Sequence, residues 1–173
     1  VDDRLVDIAK AVLEHVPRRP HPATTWVDAA TFRQAAETEL GFYGGQYDGI
    51  HNTIEIRRDV TGLLVSEGNL LIGEGLKLRA DRVMPLVHHE VGTHVLTFVN
   101  GTAQALKQLA LGLSGYDEFQ EGLAVLAEYL VGGIDNQRMR LLAARVLPGA
   151  FVQEGAGFVD TFRLLHRDHG YTA

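Results

Sequence analysis

The pattern of apolar and polar positions divides the chain into helical stretches around one short region of strand character. Between Asp2 and His15, the residues Leu5, Ile8, Ala9, Val12 and Leu13 recur at spacings that place them on one face of a helix. Pro17, Pro20 and Pro22 end that stretch and predict a stiff linker. A second helix is expected from an N-cap at Asp28 to about Leu40. Gly41, Gly44, Gly45 and Gly49 then break regular structure, in a Gly/Tyr-rich stretch that serves as a connector or a binding loop. Ile54 and Ile56 alternate with polar neighbours. The apolar runs Val60–Val65 and Leu70–Ile72 flank Ser66-Glu67-Gly68-Asn69, which reads as a hairpin with a loop of about four residues.

From there the pattern is helical. One helix is expected over Arg82–Val99, with Pro85 in its first turns and Asn100-Gly101 as its stop. A short helix follows over Gln104–Leu111, and Gly112 and Gly115 bracket a turn. Asp117, three residues before Gln120, predicts a capping box at the head of a helix over Glu118–Val131, which Gly132-Gly133 ends. Asp135 opens another helix through Leu147, stopped by Pro148-Gly149, and a last one spans about Phe151–Arg167. There are no internal repeats and no low-complexity segment. The layout is α+β, mostly helical with one small antiparallel hairpin sheet, and 173 residues suit a single domain over 1–173.

Composition narrows the function classes. The net charge of −6, from 16 basic and 22 acidic residues, argues against a nucleic-acid partner. Arg18-Arg19 and Arg57-Arg58 read as solvated turns or strand edges. No apolar run reaches the length of a membrane span, and no secretory segment opens the chain, so a cytoplasmic protein with no membrane partner is expected. The chain has no cysteine, so any metal must be held by nitrogen and oxygen.

Histidines supply the nitrogen. His88-His89-Glu90-Val91-Gly92-Thr93-His94 contains His-Glu-x-x-x-His, one residue longer than the His-Glu-x-x-His of the better-known zinc peptidase helix. Residues five apart point about 140° away from each other on an ideal α-helix, so His89 and His94 can share an ion only across a one-residue bulge. Gly92 lies inside the gap and would ease it. Catalytic zinc takes three protein ligands and leaves a position for water. A carboxylate next to the first histidine is placed to take that water's proton, which assigns Glu90 as general base. The structural alternative is a pair of hydrogen-bonded core histidines. Downstream, Glu121, Val125 and Glu128 share a face of a helix flanked by Leu123, Ala124, Leu126 and Ala127. A carboxylate on a core-facing helix is costly unless paired or coordinated, which favours Glu121 as third ligand. Glu118 suits the positive end of its helix, and Glu128 is either an orienting group for a ligand histidine or exposed. Tyr116, Tyr129, His88 and His169 are candidates for steadying an oxyanion.

The combination His89-Glu90-Val91-Gly92-Thr93-His94-Val95-Leu96, Asn100-Gly101, Gly115-Tyr116, Gln120-Glu121-Gly122-Leu123-Ala124 and Glu128-Tyr129-Leu130 resembles one family, and the hairpin Thr61–Gly68 matches its style. These are the bacterial proteins labelled flavohemoglobin expression-modulating QEGLA motif protein, related to the tubulin tyrosine carboxypeptidases associated with microtubules. The resemblance runs from about residue 45 to the end. It implies a zincin-like metallopeptidase with Zn²⁺ held by His89, His94 and Glu121, Glu90 as the catalytic carboxylate, and a peptide or protein C-terminus as substrate. Family members continue past Gly170-Tyr171-Thr172-Ala173, which implies a core shortened relative to the family. The function expected is a zinc-dependent peptide hydrolase, plausibly a carboxypeptidase. The alternatives are a non-peptidic zinc amide or ester hydrolase and a catalytically weak, metal-bound regulatory or interaction protein. Removing a C-terminal residue also needs a cation for the terminal carboxylate. Arg57, Arg58, Lys77, Arg79 and Arg82 are the candidates near the hairpin and the metal helix, and a sheet edge at Leu63–Ser66 or Leu70–Gly73 is available for strand addition.

Overall fold

The computed structural model describes residues 1–18 and 25–169, with only the backbone of the last two. Pro20 and Pro22, expected in the linker, and the side chain of His169 lie outside the described residues. The chain separates into two compact units, one holding the described residues up to 18 and from Ile134, the other residues 25–133.

The first unit is built of α1 (Asp3–His15), α7 (Asn136–Gln153) and α8 (Phe158–His169). Asp2 caps α1, its carboxylate accepting from the Leu5 amide at 2.8 Å. Ala9 packs with Ala143 and Leu147 in a small core. Arg140, buried in α7, donates to the carbonyls of Leu13 and Val16 and so closes the C-terminal end of α1. The helix α7 does not stop at Pro148 but continues to Gln153. Burial of Ala144, Leu147 and Ala150 outweighs the lost amide bond. As a result α8 begins at Phe158, later than expected.

The second unit holds the strands. Strand β1 (Trp26–Asp28) pairs antiparallel with β5 (Lys77–Arg79), and α2 (Ala29–Gly44) follows β1 directly. Asp28 caps α2 through the Thr31 amide at 2.9 Å. Phe32 and Ala36 of α2 are fully buried, and the helix runs through Gly41 to Gly44 instead of ending near Leu40. The other sheet has the order β2-β4-β3, from β2 (Ile54–Arg57), β3 (Leu63–Ser66) and β4 (Asn69–Gly73). It is mixed, not purely antiparallel, because β2 lies parallel to β4 while β3 returns antiparallel to it. The hairpin turn is shorter than expected. Ser66 pairs with Asn69, and Glu67 (φ 50°) and Gly68 (φ 77°) form a two-residue turn with both central residues left-handed.

A 3₁₀ turn (Ala80–Arg82) leads into one long, interrupted helix: α3 (Val83–His89), a π-helical segment (Glu90–Val95) and α4 (Leu96–Thr102). Its buried residues Val87, Val91, Val95 and Val99 recur every four positions. On an α-helix that repeat would drift about 40° at each step, and the widened π turn takes up the drift. These valines form the core with Phe32, Ala36, Ile54, Leu70 and Ile72. The short α5 (Gln108–Leu111) and α6 (Tyr116–Leu130) complete the unit. Asp117 is not the cap of α6: Gly115, in the left-handed conformation, occupies that position and Asp117 lies in the first turn. The fold is α+β, mostly helical with small sheets. No helix of the described residues is long and apolar enough to cross a membrane.

Candidate metal centre

His89 is the last residue of α3 and His94 lies within the π-helical segment. The extra residue of that turn brings their rings together, with centroids 5.0 Å apart at 64°. Gly92 is not what permits it. Its backbone needs no left-handed φ, and an added Cβ would meet only ordinary contacts, the nearest being the Tyr43 hydroxyl at 3.5 Å. Thr93, buried on the core side, donates its hydroxyl to the His88 carbonyl at 3.2 Å and spans the bulge.

Glu121, in the second turn of α6, faces both rings. Its carboxylate oxygens lie 3.8 Å from His89 Nε2 and 3.4 Å from His94 Nε2. The donor atoms of His89, His94 and Glu121 all fall within 4.8 Å of one another, so the three can hold a metal ion. The donor chemistry fits a divalent ion taking nitrogen and oxygen. Burial holds the His94 pKa below its ordinary value, against the opposing influence of Glu121, and so favours the neutral imidazole that a metal needs.

The carboxylate buried on α6 is Glu128, not Glu121, whose side chain is 62% exposed. The helix sends only a narrow stripe inward, around Ala124 and Glu128, and leaves Phe119, Leu123, Leu126 and Leu130 at the surface. Glu128 lies seven residues after Glu121 and therefore on the same face. One of its oxygens is 2.8 Å from His89 Nδ1 and the other accepts from Arg82. The imidazole thus carries its proton on Nδ1 and presents Nε2 to Glu121. Glu90 is largely buried beside these groups. Burial foremost, with Glu121 and Glu128 adding to it and His89 opposing, raises its pKa to about 7.

The site opens into a cavity of about 380 Å³, lined by His89, Glu90, His94 and Glu121. Leu63, Leu64 and Val65 of edge strand β3 form one wall, and Leu109–Gly112 with Tyr116 form another. Gln120, expected in a capping box, instead lines the cavity with His94. Of the oxyanion candidates, Tyr116 lines the cavity, Tyr129 does not, and His88 faces Glu39 at 3.6 Å. None of the five candidate cations lines the cavity. Arg57 pairs with Asp59, Arg58 with Glu74 and Arg79 with Asp81, while Arg82 is the buried partner of Glu128. The sequence carried no local sign of the Arg82–Glu128 pair, because its members lie 46 residues apart.

Comparison with curated proteins and with solved structures gave no match. A family profile described as microtubule-associated tyrosine carboxypeptidase matches residues 2–173. With that match across nearly its whole length, the chain belongs to the microtubule-associated tyrosine carboxypeptidase family.

Proposed function

We propose that the protein is a zinc-dependent peptide hydrolase that trims peptides from the carboxyl end, on a zincin-like core, with His89, His94 and Glu121 as ligands and Glu90 as general base. The observation that carries this reading is the convergence of the three donor groups within 4.8 Å, with Glu90 next to them in an open cavity. The family's description as a carboxypeptidase supports both the peptide substrate and the end preference. Bound zinc would supply Lewis acidity toward water and the scissile carbonyl. An extended peptide adds to the free edge of β3, which orients its scissile bond across the site. Glu90, which lines the cavity beside the proposed ligands, accepts a proton from the attacking water and returns it to the leaving amine. Glu128 holds the His89 ring, and Leu63, Leu64 and Leu111 give the cavity an apolar wall.

Glu90→Gln should keep zinc bound at full stoichiometry while peptide hydrolysis falls ~10²–10⁴-fold. Mass spectrometry of a mixed peptide library identifies the bond cut. Undiminished turnover in Glu90→Gln would refute the mechanism, and products shortened only from the amino end would refute the end preference. A stoichiometric metal site with no turnover on any peptide pool would favour a regulatory protein.

A further inference from the structure

An exposed glutamate makes a reliable ligand only if the helix that carries it is fixed, and one residue remote from the cavity does that fixing. Arg82 stands seven residues before His89, at the end of the 3₁₀ turn that starts the metal helix. Its side chain is 16% exposed, and the guanidinium forks between two acceptors on the far end of α6 and just beyond it: the Glu128 carboxylate and the Gly133 carbonyl. The Gly133 position is also pressed against Pro85, where an added Cβ would come within 2.5 Å of the proline ring. Arg82 therefore ties down both the buried carboxylate that holds His89 and the segment that ends the helix bearing Glu121. The planar fork matters, because a lysine ammonium cannot reproduce two directed bonds in one plane.

We infer that Arg82 is a positioning residue of the metal centre. Through Glu128 it fixes the His89 ring with Nε2 toward the site, and through Gly133 it sets the register of α6 against the metal helix, so that Glu121 reaches both histidines. This role rests on the metal-site reading given above. Nothing in it requires Arg82 to touch substrate.

The experiment uses the full chain and zinc alone. Zinc affinity is measured by chelator competition for the wild type, Arg82→Lys and the double variant Arg82→Met/Glu128→Gln. The double variant leaves no unpaired buried charge and so guards against simple unfolding. Circular dichroism reports whether each variant is folded. In parallel, long-range ¹H–¹⁵N spectra of the metal-free proteins at pH 8 report which nitrogen of His89 carries the proton. The wild type should show the Nδ1–H form. Both variants should remain folded and bind zinc roughly 10–100-fold more weakly, the loss typical when an orienting partner is removed. The double variant should also lose the single tautomer, a change that general destabilisation does not produce. Equal zinc affinity in all three proteins, with an unchanged His89 tautomer, would overturn the role of Arg82 and leave the metal reading standing. Failure of the wild type itself to take up zinc would overturn the metal reading and this role with it.

Discussion

Glu90 works against the fold that holds it. Its carboxyl titrates near 7 in the metal-free folded chain and near the ordinary value of 4.5 when unfolded. Between those values the folded state binds the extra proton, so stability falls as pH rises from about 4.5 to about 7 and levels off above that window. Glu90→Gln removes the penalty. The metal-free variant should exceed the wild type by on the order of 1–3 kcal/mol at pH 8 and by little at pH 4.5, as read from urea denaturation at the two pH values. An equal difference at both would show that Glu90 is not desolvated. Glu121 gives the opposite contrast. It is exposed, so Glu121→Ala should change metal-free stability by less than about 0.5 kcal/mol while zinc binding collapses. Isothermal titration with zinc checks it, and full uptake by the variant would remove Glu121 from the ligand set. At this scale the sequence displayed the residues that the structure brings together, because His89, Glu90 and His94 are fixed by covalent spacing and Glu121 by its motif. The partners that orient them were hidden. Arg82 read only as one of five candidate cations for a terminal carboxylate, and its pairing with Glu128 exists only once the two segments dock.

Among the elements, the π-helical segment was legible in the spacing of the two histidines, and the four-residue repeat of buried valines seen in the structure accords with it. Gly92 was the wrong explanation for it, since ordinary backbone and packing accommodate a methyl there. Gly92→Ala should therefore fold and bind zinc like the wild type, and a large loss of affinity would show that the bulge needs glycine after all. The hairpin offers a different test. Glu67 is the only described non-glycine residue with positive φ, in a turn position that favours asparagine. Glu67→Asn should raise stability by roughly 0.5–1 kcal/mol in urea denaturation, a sign that would reverse if the glutamate makes a compensating contact. Helix ends were the least readable feature. Local breakers such as Gly41 and Pro148 were overridden by buried faces on the same helices, Phe32 and Ala36 in α2 and Leu147 and Ala150 in α7.

Over the whole chain, the two units keep separate cores, one around Ala9 and Leu147 and the other around the helix bearing His89 and His94 and the mixed sheet. Composition and length gave no sign of this division, because α1 finds its partner in α7 more than a hundred residues later. All the candidate ligands belong to the unit of residues 25–133. Zinc at a hundred times its dissociation constant should stabilise that unit by about 2.7 kcal/mol. Calorimetry with zinc and then with chelator should show the shift in the wild type and not in Glu121→Ala. A zinc-independent transition in the wild type would contradict a bound resident metal.

The exposure of Glu121 also bears on time. The His89 and His94 side chains are largely buried, while Glu121, the proposed third ligand, stands largely in solvent with an ordinary side chain's freedom to rotate away. Exchange of a bound ion would then be gated by a rotamer jump of one surface carboxylate, not by opening of the core. A small chelator should strip the ion quickly and from the folded protein, with a rate that rises with chelator concentration and is insensitive to denaturant. In its traffic with the surrounding metal pool the centre would behave as a fast-exchanging reservoir, and a purification buffer containing a chelator would yield an empty, intact fold.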